Sequence, residues 1–96
     1  MIRHIVLFRL ADRSPESIRR AAEVLRGLAG KVPPLRSLEV GIDVLRSDRS
    51  WDIALTAGFE SLADLEAYRV HPDHQAVVKY MNTVRESGAS VDYEAP

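Results

Sequence analysis

The nine residues AYRVHPDHQ, Ala67–Gln75, set a tyrosine, two histidines, an aspartate and a proline within one short stretch. Side chains of these types suit proton transfer. Imidazole titrates near neutral pH, so it both accepts and releases a proton, and a phenol can donate a hydrogen bond to developing negative charge. The same stretch also reads as a helix broken by a proline, because Pro72 disfavours helical geometry at His71. A third histidine, His4, shares a row with Ile2, Val6 and Phe8, where a buried imidazole needs a hydrogen-bond partner.

Other chemistries find less support. His71 and His74 are three apart with Asp73 between them and His4 as a distant third ligand, but the proline spoils the usual helical spacing for a metal. The sequence has no cysteine, which removes thiolate catalysis and cysteine-held metals. Its serines sit at caps and in loops without a nucleophile elbow, and no glycine-rich phosphate loop is present. Neither a metal nor a cofactor is expected.

The elements that would hold these residues follow from periodicity. Ile2–Leu10 alternates as a strand, with Ile2, His4, Val6, Phe8 and Leu10 on one face and Arg3, Ile5, Leu7 and Arg9 on the other. Ser14 and Pro15 open a helix whose stripe is Ile18, Ala21, Ala22, Leu25, Leu28 and Ala29, with Gly30 as its terminator. Leu38, Val40, Ile42 and Val44 form the oily face of a second strand. Trp51, Ile53, Leu55, Ala57 and Phe59 form that of a third. Ser61 caps a second helix carrying Leu62, Leu65 and either Tyr68 or Arg69 on one side, which breaks at His71-Pro72 and restarts at Asp73. Its later stripe is Ala76, Val77, Tyr80, Met81 and Val84. Gly88 closes it before a last strand over Ala89–Glu94.

The order is βαββαβ. It predicts an α+β, ferredoxin-like domain spanning residues 1–96, a four-stranded antiparallel sheet with two helices on one face. The opposite sheet face carries Ile5, Leu7, Gly41, Leu45, Ala54 and Gly58, too apolar for a face left in water. That predicts a homodimer with a barrel between two sheets. With 46% hydrophobic and 28% charged residues and a net charge of −1, the composition favours a soluble protein over one that binds nucleic acid or acidic membranes. The opening MIRHIVLFRL carries charges and lacks a small-residue cleavage site, so it does not read as a signal peptide, and a cytoplasmic location is expected.

The succession IRHIVLFRL, LEVGIDV, WDIALTAGFE, AYRVHPDHQ and VDYE resembles the stress-responsive dimeric α/β-barrel (Dabb) domain family, from about Met1 to Glu94. The resemblance implies a ferredoxin-like domain that dimerises. Some family members are known only as stress-associated proteins. Others are similar to plant polyketide cyclases of the olivetolic acid type, which close a ring with a tyrosine/histidine pair. The matching positions are Tyr68 and His74, with His4, Val6 and Phe8 at cavity-lining positions. A second cavity histidine of the cyclases falls at Ile53, and two of their aromatic positions fall near Ala22 and Leu25, so a ligand here need not be polyketide-shaped.

On that resemblance, His74 would be a base removing a proton next to a carbonyl, Tyr68 the donor to the enolate, and His4 a supporting group. Val6, Phe8, Leu25, Val77 and Met81 would wall the cavity. A plainer reading stands beside each role. Tyr68 fills the core, His74 bonds to backbone, His4 is a satisfied core histidine, and His71 supports the turn. Two function classes follow. One is a small-molecule pocket with cyclase-like or isomerase-like acid/base chemistry, requiring an open cavity lined by Tyr68 and His74. The alternative is a non-catalytic stress-associated binding or assembly protein, predicting a filled cavity with both residues bonded to backbone.

Overall fold

The computed structural model describes residues Met1–Pro96. Strand β1 spans Ile2–Leu10, helix α1 Pro15–Arg26, β2 Ser37–Ile42, β3 Ile53–Phe59, α2 Leu62–Val70, α3 Pro72–Val84 and β4 Arg85–Glu94. The four strands form one antiparallel sheet in the order β2-β3-β1-β4. This is the ferredoxin-like arrangement. The broken second helix resolves into two separate helices, so three rather than two accompany the sheet.

Capping sets the helix starts. The Ser14 hydroxyl accepts from the Ser17 N–H at 3.2 Å, with Pro15 in the first turn, and Ser61 accepts from the Asp64 N–H at 3.1 Å. The core draws on alternate β1 and β3 residues (Ile2, Phe8, Leu10, Ile53, Leu55, Ala57 and Phe59). Ile18, Ala21, Ala22 and Leu25 of α1, with Leu65 and Tyr68 of α2, cover them.

Several element ends differ from the sequence reading. Helix α1 stops at Arg26, and Leu28 packs into the core from a turn that reaches Gly30 at a φ of 77°. Gly30 therefore ends the turn and not the helix. Val44 is 94% exposed and Leu45 is also exposed, because β2 ends at Ile42 and both lie in the following loop. Trp51 precedes β3 and lies over the Arg9 guanidinium at 5.1 Å, on the side of Arg9 and away from the inner row. Leu62 and Ala76 turn outward. Gly88 does not close a helix. Pairing with β1 runs from Glu94 back to Arg85, which converts the expected terminator into a mid-strand residue opposite Phe8.

The 43–52 loop is held by a buried carboxylate at its end. Asp52 is fully buried and accepts from the Leu10 N–H at 2.8 Å, Arg13 Nε at 3.0 Å and Arg46 Nη2 at 2.8 Å. Burial alone would push its carboxyl up, but Arg13, the Leu10 N–H and Arg46 outweigh burial and hold it below the usual carboxylate range. No helix is long and apolar enough to cross a membrane.

Only 19 of 96 residues are buried. The outer sheet face is left uncovered, with Ile5 and Leu7 half-buried beside Val91 (54% exposed) and Tyr93 (40% exposed).

Candidate functional site

The break between α2 and α3 is a reciprocal cap. At His71 the backbone turns extended, with φ −65° and ψ 136°, as the residue before a proline must. Its ring Nδ1 accepts from the Asp73 N–H at 3.1 Å, so His71 is the N-cap of α3, a turn-supporting role as the sequence suggested. Breaking the helix leaves α2 carbonyls without intrahelical partners. One of them, Arg69 O, accepts from Gln75 Nε2 at 2.6 Å and from His74 Nδ1 at 3.1 Å. A carbonyl can only accept, so Nδ1 carries the proton and Nε2 keeps a free lone pair.

That capping turns His74 against Tyr68. Their ring centroids are 4.1 Å apart with planes at 41°. The Tyr68 ring also packs on Phe59 at 4.9 Å, and the His4 ring meets it edge-on at 6.2 Å. Tyr68 is 1% exposed, and burial pushes its phenol up to about 12. At neutral pH it is therefore always a donor. No side-chain hydrogen bond engages its hydroxyl, and the residue lies on the wall of a cavity. Burial pulls His74 below the usual histidine value. The backbone bond to Arg69 opposes that shift without cancelling it, and the nearby His4, Arg69 and His71 add to it.

His4 finds the partner its position demanded. Antiparallel register sets it directly opposite Asp92 of β4, and its Nδ1 bonds the Asp92 carboxylate. A carboxylate only accepts, so the pair fixes a proton on Nδ1 and orients the ring.

These three residues border a cavity of about 380 Å³ between the sheet and the α2–α3 segment. Val6, Phe8, Leu25, Val77 and Met81 line it with them, so all eight residues picked from the sequence meet around one space. Leu28, Leu55, Val78, Arg69, Asn82, Arg85 and Ser90 complete the wall and were not anticipated. Of α3, only Met81 is fully buried, because the cavity and not packed side chains lies beneath much of that helix. No three His, Cys, Asp or Glu side chains are grouped closely enough to hold a metal ion. The two sequence readings each find a counterpart here: the cavity is open, and His74 is also bonded to backbone.

The chain is similar to an uncharacterized protein of Streptomyces coelicolor, with 33% identity over 81% of this chain and 84% of that protein. It is also similar to a stress-response A/B barrel domain-containing protein of Arabidopsis thaliana, with 31% identity over 99% of this chain. There the chain spans about half of the relative's length, 47%. Among solved structures, a dimeric protein of unknown function and ferredoxin-like fold from Bacteroides fragilis superposes with a TM-score of 0.83. The two share 35% identity over 98% of this chain and 95% of that one. The stress responsive A/B barrel domain model matches residues 2–95, and the chain belongs to that family.

Proposed function

We propose that this protein is a homodimer whose protomers each bind a small, largely apolar carbonyl compound and exchange protons with it. The observation that carries the reading is the uncommitted Tyr68 hydroxyl beside the His74 ring, at the edge of an open apolar cavity. A volume of about 380 Å³ falls within the span of roughly 300–1,000 Å³ usual for ligand sites. His74 Nε2 is the base: it takes a proton from the carbon next to the carbonyl. The electron pair moves to the carbonyl oxygen, where the Tyr68 hydroxyl stabilises the enolate. Delivering the proton from Nε2 to a different carbon of a conjugated enolate completes an isomerisation. Alternatively, the enolate carbon attacks a second carbonyl in the same molecule, and the resulting alkoxide takes the proton from Nε2. This completes a cyclisation of the kind the cyclase resemblance implies and restores neutral His74. The His4–Asp92 pair orients the ring that flanks Tyr68.

The apolar outer face of the sheet and the dimeric Bacteroides fragilis relative support pairing of two sheets.

The test is hydrogen exchange at carbon. In deuterium oxide, the wild-type protein is expected to wash the α-protons out of 2-octanone, followed by proton NMR. His74→Gln and Tyr68→Phe should each slow this by about a hundredfold or more. No exchange above the buffer rate would defeat the proton-transfer reading. The hydrogen bond from His74 to the Arg69 carbonyl favours a second reading, a binding or assembly protein without catalysis. Ligand binding without exchange would establish that one instead.

A further inference from the structure

Arg69 apart, the polar groups of the cavity fall into two sets. Tyr68, His74 and His4 make one. The other lies where α3 passes into β4 and consists of Asn82, Arg85 and Ser90. Two arginines border the cavity, and they differ in their commitments. Arg69 is held by Glu66 at 2.6 Å, whereas Arg85 is in no ion pair. Arg85 Nε donates to Asn82 Oδ1 at 3.1 Å, which anchors the guanidinium at one edge and leaves its terminal nitrogens free.

Gly88 provides the seat. It pairs with Phe8, just as Ser90 pairs with Val6 and Asp92 with His4, so these three β4 residues lie on the row that faces the cavity. A Cβ added at Gly88 would come within 2.7 Å of Arg85 Nη1. The tip of the guanidinium therefore occupies the space a side chain would take. An exposed cation at the rim of a largely apolar cavity, with an amide orienting it and no carboxylate neutralising it, is suited to receive a planar anion.

We propose that the ligand of this cavity is a carboxylic acid, its carboxylate read by Arg85 and Asn82 and its apolar body lying along Val77, Val78 and Met81. The inference rests on the reading of the cavity as a small-molecule site. It narrows that reading to compounds carrying a carboxylate in addition to the carbonyl facing Tyr68. Ser90 supplies a further hydroxyl donor on the same wall.

Isothermal titration calorimetry at low salt, with octanoate and the neutral octanamide as probes, tests this. Wild-type protein is expected to bind octanoate about tenfold or more tighter than octanamide, the usual gain from a charge-assisted hydrogen bond. Arg85→Gln should abolish that preference while leaving octanamide nearly unchanged. Gly88→Ala, by displacing the guanidinium, should weaken octanoate selectively. Equal binding of the two probes to wild-type protein, or an octanoate affinity indifferent to Arg85→Gln, would overturn the carboxylate assignment. If octanamide binding then remained and were lost in Leu25→Trp, the cavity reading would survive that failure. Binding of neither probe would defeat both.

Discussion

Replacing Tyr68 by phenylalanine separates a tyrosine that packs from one that acts. The ring is 1% exposed and lies against Phe59 and His74, so it carries substantial packing energy. Phenylalanine keeps that ring. The hydroxyl it removes has no protein partner, so no buried donor or acceptor is orphaned by the change. A hydroxyl bonded in the folded state would cost about 1–1.5 kcal/mol on removal. One that only meets the cavity should cost under ~0.5 kcal/mol. For 96 residues the unfolding entropy is about 0.2 kcal/mol per kelvin, so 1 kcal/mol corresponds to about 5 °C in Tm. Tyr68→Phe should therefore move Tm by less than about 2.5 °C in calorimetry at fixed protein concentration. Tyr68→Ala, which deletes the ring, should lose about 3–5 kcal/mol. A fall of more than about 5 °C for Tyr68→Phe would refute the argument, because it would mean that the hydroxyl is committed to the fold.

Three further outcomes are expected. Burial keeps His74 neutral to lower pH than in the unfolded chain, so the unfolded state takes up the proton first. Stability should then fall as pH drops below about 6.5. His74→Gln should remove that part of the Tm-versus-pH slope between pH 7.5 and 5, and an unchanged slope would count against it. Asp52→Asn should cost about 3 kcal/mol by weakening the charge-assisted hydrogen bonds from Leu10 N–H, Arg13 and Arg46 to a buried carboxylate. The deficit should narrow as pH falls below about 4, where the unfolded wild-type chain takes up the proton before the folded carboxylate does. A Tm change under 3 °C at pH 7 would contradict this, since ~3 kcal/mol corresponds to about 15 °C. Val91→Asp, in the middle of the exposed apolar face, should convert a dimer to a monomer in light scattering after gel filtration. A dimer that persists would place the interface elsewhere.

How far the sequence carries depends on the range of the interactions involved. Strand alternation, the serine caps and the proline break are local signals, and they correctly order every element and place Tyr68 and His74 on either side of the bend. Element ends were less legible. Val44 continues the alternation of β2, yet it lies in the loop that Asp52 ties down from a distance. Leu28 keeps helical spacing after the helix has ended, because burial and not helix geometry fixes it. Gly88 looks like a terminator until β4 is set against β1. Long-range partners were invisible. His4 visibly needed an acceptor, but Asp92 is 88 residues away and only strand register brings it opposite. Arg85 likewise becomes a cavity residue only because Gly88, three residues on, leaves room for it.

The most direct test of the Tyr68–His74 site is the carbonyl carbon-13 shift of bound 2-octanone labelled at that carbon. A hydrogen bond from Tyr68 predicts a downfield shift of the bound resonance in wild-type protein, lost in Tyr68→Phe while binding persists. A bound resonance at the same position in both proteins, or no bound resonance at all, would contradict the account.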